Sequence, residues 1–289
     1  MNYVGRFAPS PTGNLHLGTL VAALGSWLRA RQQAGRWLVR IDDIDPSREH
    51  PGASERILAG LELCGLVADQ APLYQSTRIQ AYQRALSTLQ AQGRVFECWC
   101  SRRDLADAGQ LHRDGRCLRG PDPGRPPAMR LAVEPGKIAF DDVICGPVRE
   151  DVRETVGDFV LRRADGCWSY HLACAMDEPH MGITEVIRGH DLLPSTARQI
   201  LIQRLLRLPS PAYGHLPLVM GSDGEKLSKS GNGPELDLSD PATSLRNALV
   251  HLGQTPPPAR CTTVTSILQT AVAGFDLAAI PVATVAGGA

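Results

Sequence analysis

Lys226-Leu227-Ser228-Lys229-Ser230 sets two lysines and two hydroxyls in a glycine-rich stretch after a buried apolar run, with no apolar periodicity to account for them. Lysines in such a loop can fold over a triphosphate and neutralise charge developing at the α-phosphate during nucleotidyl transfer. The alternative is a solvated turn. A second group stands in PSPTGNLHLGT (9–19), where a strand breaks on two prolines and a glycine just before helical periodicity begins. The first amides of a helix are unpaired, and its dipole places about half a positive charge there, so phosphates bind readily. Gly13 permits a tight turn, Gly18 lets a flat ligand approach the backbone, and His16 can donate to phosphate oxygens. Alone, the stretch also reads as an ordinary turn before a surface histidine. The third group is CWC at 98–100 with Cys117. Three thiolates suit zinc, which takes four ligands in a closed structural site. His112 is the nearest chemically suitable fourth, and ordinary buried thiols are the other reading of Cys98 and Cys100.

These groups need elements to hold them. Residues 3–7 read as a buried strand, Leu17, Leu20, Val21, Leu24 and Leu28 follow the stripe of a helix ending near Gly35, and WLVRI (37–41) is the next strand. Strand, helix, strand with short joints is a βαβ unit, whose parallel strands present ligands at their carboxyl ends. The spacing then predicts helices over 52–64 and 77–92, the second capped by Ser76 and stopped at Gly93. From 94 to 155 a loop rich in proline and glycine, GPDPGRPPAMRL, and short antiparallel strands in KIAFDDVICGPV mark an insertion. Strands resume in DFVLRR, WSYHLACAM and ITEVIRG; a helix capped by Ser195 covers 195–207; LPLVM (216–220) is a last buried strand. An amphipathic helix over 241–252 follows, and TPPPAR ends the regular structure. The expected fold is α/β: a Rossmann-like parallel-sheet catalytic domain (1–93 and 156–230), an inserted zinc-containing α+β subdomain (94–155), a short helical part (231–255) and a disordered tail (256–289).

Composition narrows the class of partner. Of 289 residues, 30 are Lys or Arg and 30 are Asp or Glu, so bulk charge gives no argument for nucleic-acid binding. A local basic face would be needed, and Arg94, Arg102, Arg103, Arg113, Arg116, Arg119, Arg125 and Arg130 offer one, although a solvated insertion explains them as well. No run of about 18 apolar residues could cross a membrane, and the start lacks a signal-peptide pattern. A cytoplasmic monomer without a membrane partner is expected. Cys64, Cys145, Cys167, Cys174 and Cys261 have no partner spacing and are read as core or incidental.

Taken together, His16-Leu17-Gly18-Thr19 and Lys226–Ser230 resemble the two signatures of the class I aminoacyl-tRNA synthetases. The flanking RFAPSPTGNLHLG, RIDDIDPSRE, SYHLACAMDEPHMGITEVIRGHDLL and HLPLVMGSDGEKLSKS resemble the glutamyl branch, over residues 5 to about 252. The resemblance implies ATP, with Mg²⁺, held by Thr12, Gly13, His16, Gly18, Thr19, Lys226, Ser228 and Lys229, of which His16, Lys226 and Lys229 are catalytic. It implies an L-glutamate pocket lined by Arg6, Ala8 and Ser10, with Arg188 on the side-chain carboxylate and Tyr170 across from it. A guanidinium gives a carboxylate a two-pronged contact that no neutral side chain matches. Asp42 takes the position for the substrate ammonium, where the family usually carries glutamate, and its shorter arm weakens that contact or routes it through water. One structural zinc per chain is implied on Cys98, Cys100 and Cys117. In short relatives a tyrosine stands near the fourth position and register places Arg113 there, so the fourth ligand stays open between His112 and another group.

Full-length members of the branch continue well past the second signature into helical domains that read the anticodon, whereas about 60 residues follow here. The resemblance is therefore to the truncated part of the branch, which attaches activated glutamate to queuosine, the modified wobble base of tRNA(Asp). The expected RNA partner is that anticodon stem-loop, accommodated by the insertion. Two alternatives remain: a minimal enzyme charging the 3′ end of tRNA(Glu), and a catalytically silent tRNA- or nucleotide-binding regulator, against which His16, Lys226 and Lys229 speak.

Overall fold

The structure, a computed structural model, describes residues 2–107, 111–219 and 236–282, so Lys226, Ser228 and Lys229 lie outside the described residues. β1 (Val4–Phe7) and β2 (Arg36–Ile41) pair in parallel around α1 (Leu17–Gln32), with Val4 opposite Arg36. Leu20, Leu24 and Leu28 of the expected stripe are fully buried. After α2 (Ala53–Leu63), β3 (Leu73–Tyr74) adds a third parallel strand beside β2. There follow α3 (Ile79–Ala91), β4 (Val95–Cys98), α4 (Arg102–Asp107), β5 (Ala128–Leu131), β6 (Lys137–Asp142), β7 (Gly146–Asp151), α5 (Val152–Thr155) and β8 (Phe159–Arg162). The chain continues through α6 (Tyr170–His180), β9 (Glu185–Gly189), α7 (Leu193–Leu205) and β10 (Ala212–Leu216) to α8 (Pro241–His251) and α9 (Val264–Gly274).

The strands form three sets, β1-β2-β3, β7-β6-β10-β9 and β4-β5-β8. In the second, β6, β10 and β9 run parallel. The Thr184 amide, just before β9, donates to Val4 O at 2.9 Å, so β1 lies beside β9 and the two parallel sets meet there. No helix among the described residues is long and apolar enough to cross a membrane.

Several expectations give way. WSYHLACAM is helix α6 rather than strand: Ser169 Oγ accepts from the Leu172 amide at 3.3 Å, and a helix buried on nearly all sides shows no clear period. The strand expected at 216–220 is β10, four residues earlier, ending before Pro217, which has no amide to donate. Ser76 does not cap α3; its amide and hydroxyl bind Asp43 at 2.9 and 2.6 Å. Ser195 lies inside α7, which starts with Pro194 in its first turn. The boundary expected at 155/156 does not coincide with a sheet boundary. The β6–β7 hairpin joins the parallel strands at Tyr213 opposite Asp142, while β8 completes the antiparallel sheet of β4 and β5.

The segment expected as a disordered tail contains α9. Thr263 and Ser266 form a reciprocal capping box, and Ile267, Leu268, Phe275 and Ile280 are buried in the core that α1 and α8 share. The Gln32 side chain donates to Phe275 O at 2.8 Å, tying this end to α1.

Candidate active site

The loop after β1 is pinned to the end of β2, where the Asp42 amide donates to Pro9 O at 3.0 Å. Gly13 turns it at φ 152°, a conformation that residues bearing a Cβ rarely adopt. His16 then caps α1. Its Nδ1 accepts from the Thr19 amide at 3.3 Å, so the ring proton sits on Nε2 and donates to Thr19 Oγ1 at 2.7 Å. Ala8, Ser10, Thr12, His16, Gly18 and Thr19 line a cavity of about 280 Å³ at this helix start, whose other wall runs from Leu216 to Val219. Four of the expected ATP residues therefore meet at one cavity, and Gly13 shapes the loop behind it. Val219, the last described residue before the lysine-bearing segment, belongs to the same cavity.

A second cavity, about 190 Å³, shares Ser10 and Thr12 with the first and is lined further by Asp42, Asp45, Arg48, Arg163, Trp168 and Tyr170. Beneath it lie buried charges. Arg40, fully buried, donates from Nε to Asp42 Oδ1 at 2.7 Å and stands 3.2 Å from Glu178 Oε1 through Nη1. Arg6 donates to the same Glu178 oxygen at 3.3 Å and to Ile187 O at 3.2 Å, so it supports the pocket floor and lines neither cavity. Burial pushes the Asp42 carboxyl up to about 6 despite the pull of Arg40. At Glu178 burial pushes the same way, but Arg6 and Arg40 outweigh it and hold the group below its usual range.

Arg188 on β9, 4% exposed, likewise lines neither cavity and lies behind Tyr170. It donates to His215 Nε2 (3.0 Å), Gln199 Oε1 (2.9 Å), Thr196 Oγ1 (2.7 Å), Tyr170 Oη (3.3 Å) and Leu192 O (3.3 Å). Every one of these acceptors is neutral, and among the described residues no carboxylate pairs with this guanidinium. The parts that sequence reasoning missed are Arg40, Glu178, Asp142 and His215. For Arg40 and His215 the one signal was a charged or polar residue inside an apolar run, which when buried must be paired, whereas Asp142 beside Asp141 and Glu178 in DEPH carried none.

The cysteine group assembles away from the cavities. The thiols of Cys98, Cys100 and Cys117 lie within 4.8 Å of one another, with Cys100 and Cys117 3.7 Å apart. Thiolates about 2.3 Å from a tetrahedral zinc are separated by a similar distance. His112 Nε2 stands 3.3 Å from Cys98 Sγ, although it is outside the group in which all atoms fall within 4.8 Å. Its Nδ1 lies 3.2 Å from Arg116 O; since a carbonyl only accepts, the proton is on Nδ1 and the Nε2 lone pair faces the cysteines. Arg113 is turned away, donating to Arg153 O at 3.1 Å and Glu154 O at 2.8 Å. The three thiols fit a metal, and of His112 and Arg113 it is His112 whose lone pair faces them. Among the arginines of this segment, Arg94 pairs with Glu134, Arg119 and Arg125 with Asp104, and Arg130 donates to Asp158 O.

A cavity at a helix start by the carboxyl ends of parallel strands, backed by a cluster of buried arginines and carboxylates, is the arrangement of a class I aminoacyl-tRNA synthetase catalytic domain. Residues 3–262 match the family of class I tRNA synthetases (E and Q), catalytic domain, and the chain belongs to that family. It is 51% identical over 282 residues to the glutamyl-Q tRNA(Asp) synthetase of Xanthomonas oryzae pv. oryzae, covering 97% of this chain and 93% of that one. It is 49% identical over 263 residues to the protein of the same name from Aromatoleum aromaticum, covering 89% and 83%. A glutamate tRNA ligase from Elizabethkingia meningosepticum, solved in complex with its amino acid, is similar at a TM-score of 0.81 and 26% identity, over 98% of this chain and 66% of that chain.

Proposed function

We propose that this protein is an ATP-dependent ligase that activates L-glutamate as glutamyl-adenylate and transfers the glutamyl group to the queuosine base at the wobble position of tRNA(Asp). The observation that carries this reading is the similarity, at 51% identity over nearly the whole of both chains, to a relative named for that reaction. The solved glutamate tRNA ligase stands further off, at 26%.

The geometry supports each half of the reaction. In the first, an α-carboxylate oxygen of glutamate attacks the α-phosphorus of ATP and pyrophosphate leaves. Thr12, His16, Gly18 and Thr19 hold the phosphates at the α1 start, and the charges of Lys226 and Lys229 with the hydroxyl of Ser228 stabilise them, a task that bound Mg²⁺ would share. Arg188 receives the side-chain carboxylate of glutamate, with Tyr170 beside it. Its charge has no carboxylate partner among the described residues, which suits an anionic ligand. Asp42 takes the ammonium on lone pairs that Arg40 leaves open.

In the second half a hydroxyl of the queuosine ring attacks the adenylate carbonyl and AMP leaves. The smaller cavity, which meets the glutamate residues at Asp42 and Tyr170, is the opening for the modified base. Arg48, whose side chain is 72% exposed, and Arg163 flank Asp45 at its rim, where RNA phosphates would approach. Cys98, Cys100 and Cys117, with His112 as the fourth ligand, would hold one zinc, which would clamp the segment between β4 and β5. The enzyme works in the cytoplasm as a monomer, with its metal-bearing part inserted into the catalytic domain.

The test is transfer of radiolabelled glutamate to tRNA(Asp) with and without queuosine. Label is expected only on the queuosine-containing RNA, including an isolated anticodon stem-loop. Label on the 3′ adenosine of tRNA(Glu) would replace this reading with that of a minimal aminoacylating enzyme.

A further inference from the structure

We infer that His215, braced by Asp142, is a positioning residue that aims Arg188 at the amino-acid substrate. The inference rests on the reading of Arg188 as the carboxylate-binding group. Asp142, His215 and Arg188 sit on three adjacent parallel strands, β6, β10 and β9, and His215 is in direct register with Arg188. All three are buried, at 3%, 0% and 4% exposure. Asp142 is fixed first: its Oδ1 accepts from the amides of Ile144 (3.0 Å), Cys145 (2.8 Å) and His215 (3.2 Å). Its Oδ2 lies 2.5 Å from His215 Nδ1.

The other side of the imidazole decides its protonation. Arg188 Nε has only a proton to offer, so His215 Nε2 accepts from it at 3.0 Å and the ring proton must sit on Nδ1, donated to Asp142. A second ring proton would set N–H against N–H. Burial accordingly drives the His215 pKa below its usual value, against the opposing pull of Asp142. The ring is a neutral strut between a fixed carboxylate and a guanidinium. Its neutrality matters for function. A direct aspartate–arginine pair would neutralise the charge that the substrate needs, whereas a carboxylate one imidazole away orients Arg188 and leaves its positive charge unspent.

The bonds to Arg188 also differ in length. Those to His215, Gln199 and Thr196, at 3.0, 2.9 and 2.7 Å, form a short set. Those to Tyr170 and Leu192 O are both 3.3 Å, one on each terminal nitrogen. A carboxylate displaces the long pair in two-pronged fashion while the short set keeps the guanidinium plane in place.

The experiment compares His215→Leu, His215→Gln and His215→Asn in glutamate-dependent ATP–pyrophosphate exchange. Leu fills the space and accepts nothing; the Gln amide oxygen reaches towards Arg188; the Asn amide still serves Asp142 but falls short of Arg188. For Leu and Asn, KM for glutamate should rise about 10- to 100-fold, as expected for one hydrogen bond to a charged group. KM for ATP should stay within about threefold, and Gln should recover most of the loss. A merely structural role would instead lower kcat with the active fraction and leave KM unmoved. An unchanged glutamate KM in folded His215→Leu overturns the inference; should that variant not fold, equal KM values for Gln and Asn overturn it. Arg188→Gln separates the two readings. If it leaves the glutamate KM unchanged, the assignment of Arg188 itself falls; if only the His215 variants are silent, the positioning role falls alone.

Discussion

Acidifying the exchange assay from pH 7 to pH 5 should weaken glutamate binding by about tenfold in all, and Asp42 should be the cause. Its carboxyl is buried and pushed up to about 6, because the loss of water outweighs the bonds from Arg40 at 2.7 and 3.4 Å. Only the ionised form attracts the substrate ammonium. KM for glutamate then scales as one plus the ratio of protonated to ionised Asp42, giving about 1.1-fold at pH 7 and about elevenfold at pH 5. At saturating glutamate kcat should stay nearly level. Asp42→Asn should raise KM at every pH and flatten the profile, which separates this group from others that titrate in acid. A native KM that is flat from pH 7 to 5, or an identical rise in Asp42→Asn, would refute the reasoning. The same shift has a stability sign. A carboxyl raised in the folded state favours folding below its unfolded pKa of about 4, and that contribution, about 3 kcal/mol, is lost as pH rises through about 6, opposite to ordinary acid denaturation.

Metal analysis of protein purified without chelator should give one zinc per chain, and Cys117→Ser should abolish it; no zinc in the native protein would end the assignment. His112→Ala should lower zinc retention against a chelator, and unchanged retention would give the fourth position to another group. Gly157→Ala should cost about 1–3 kcal/mol in denaturant unfolding and reduce zinc content, because Gly157 has φ 71° and an added Cβ would meet His112 O at 2.1 Å; a native unfolding midpoint would refute it. Phe275→Ala should cost about 3–5 kcal/mol if the segment after residue 256 is part of the α1–α8 core, and an unshifted midpoint would remove it from that core.

Much of the site's chemistry was written locally. The helix stripe behind His16, the turn at Gly13 and the spacing of CWC with Cys117 are short-range patterns, and the structure brings the described residues of each group together. Local patterns carry less where an element is buried on all sides, as in α6, or follows three prolines, as α9 does. Periodicity then has no polar face to show, or punctuation reads as an end. What only the tertiary structure decided is which charges answer one another. Arg40 was one polar residue in WLVRI and Asp142 one of two aspartates in KIAFDD; nothing near either names Glu178 or His215 as its partner. One pairing runs from strand β2 to helix α6, and the other crosses from β6 to β10, strands adjacent in the sheet but distant in the chain. They persist because a buried charge without a partner is too costly to keep, so the fold that buries Arg188 must also supply the groups that hold it.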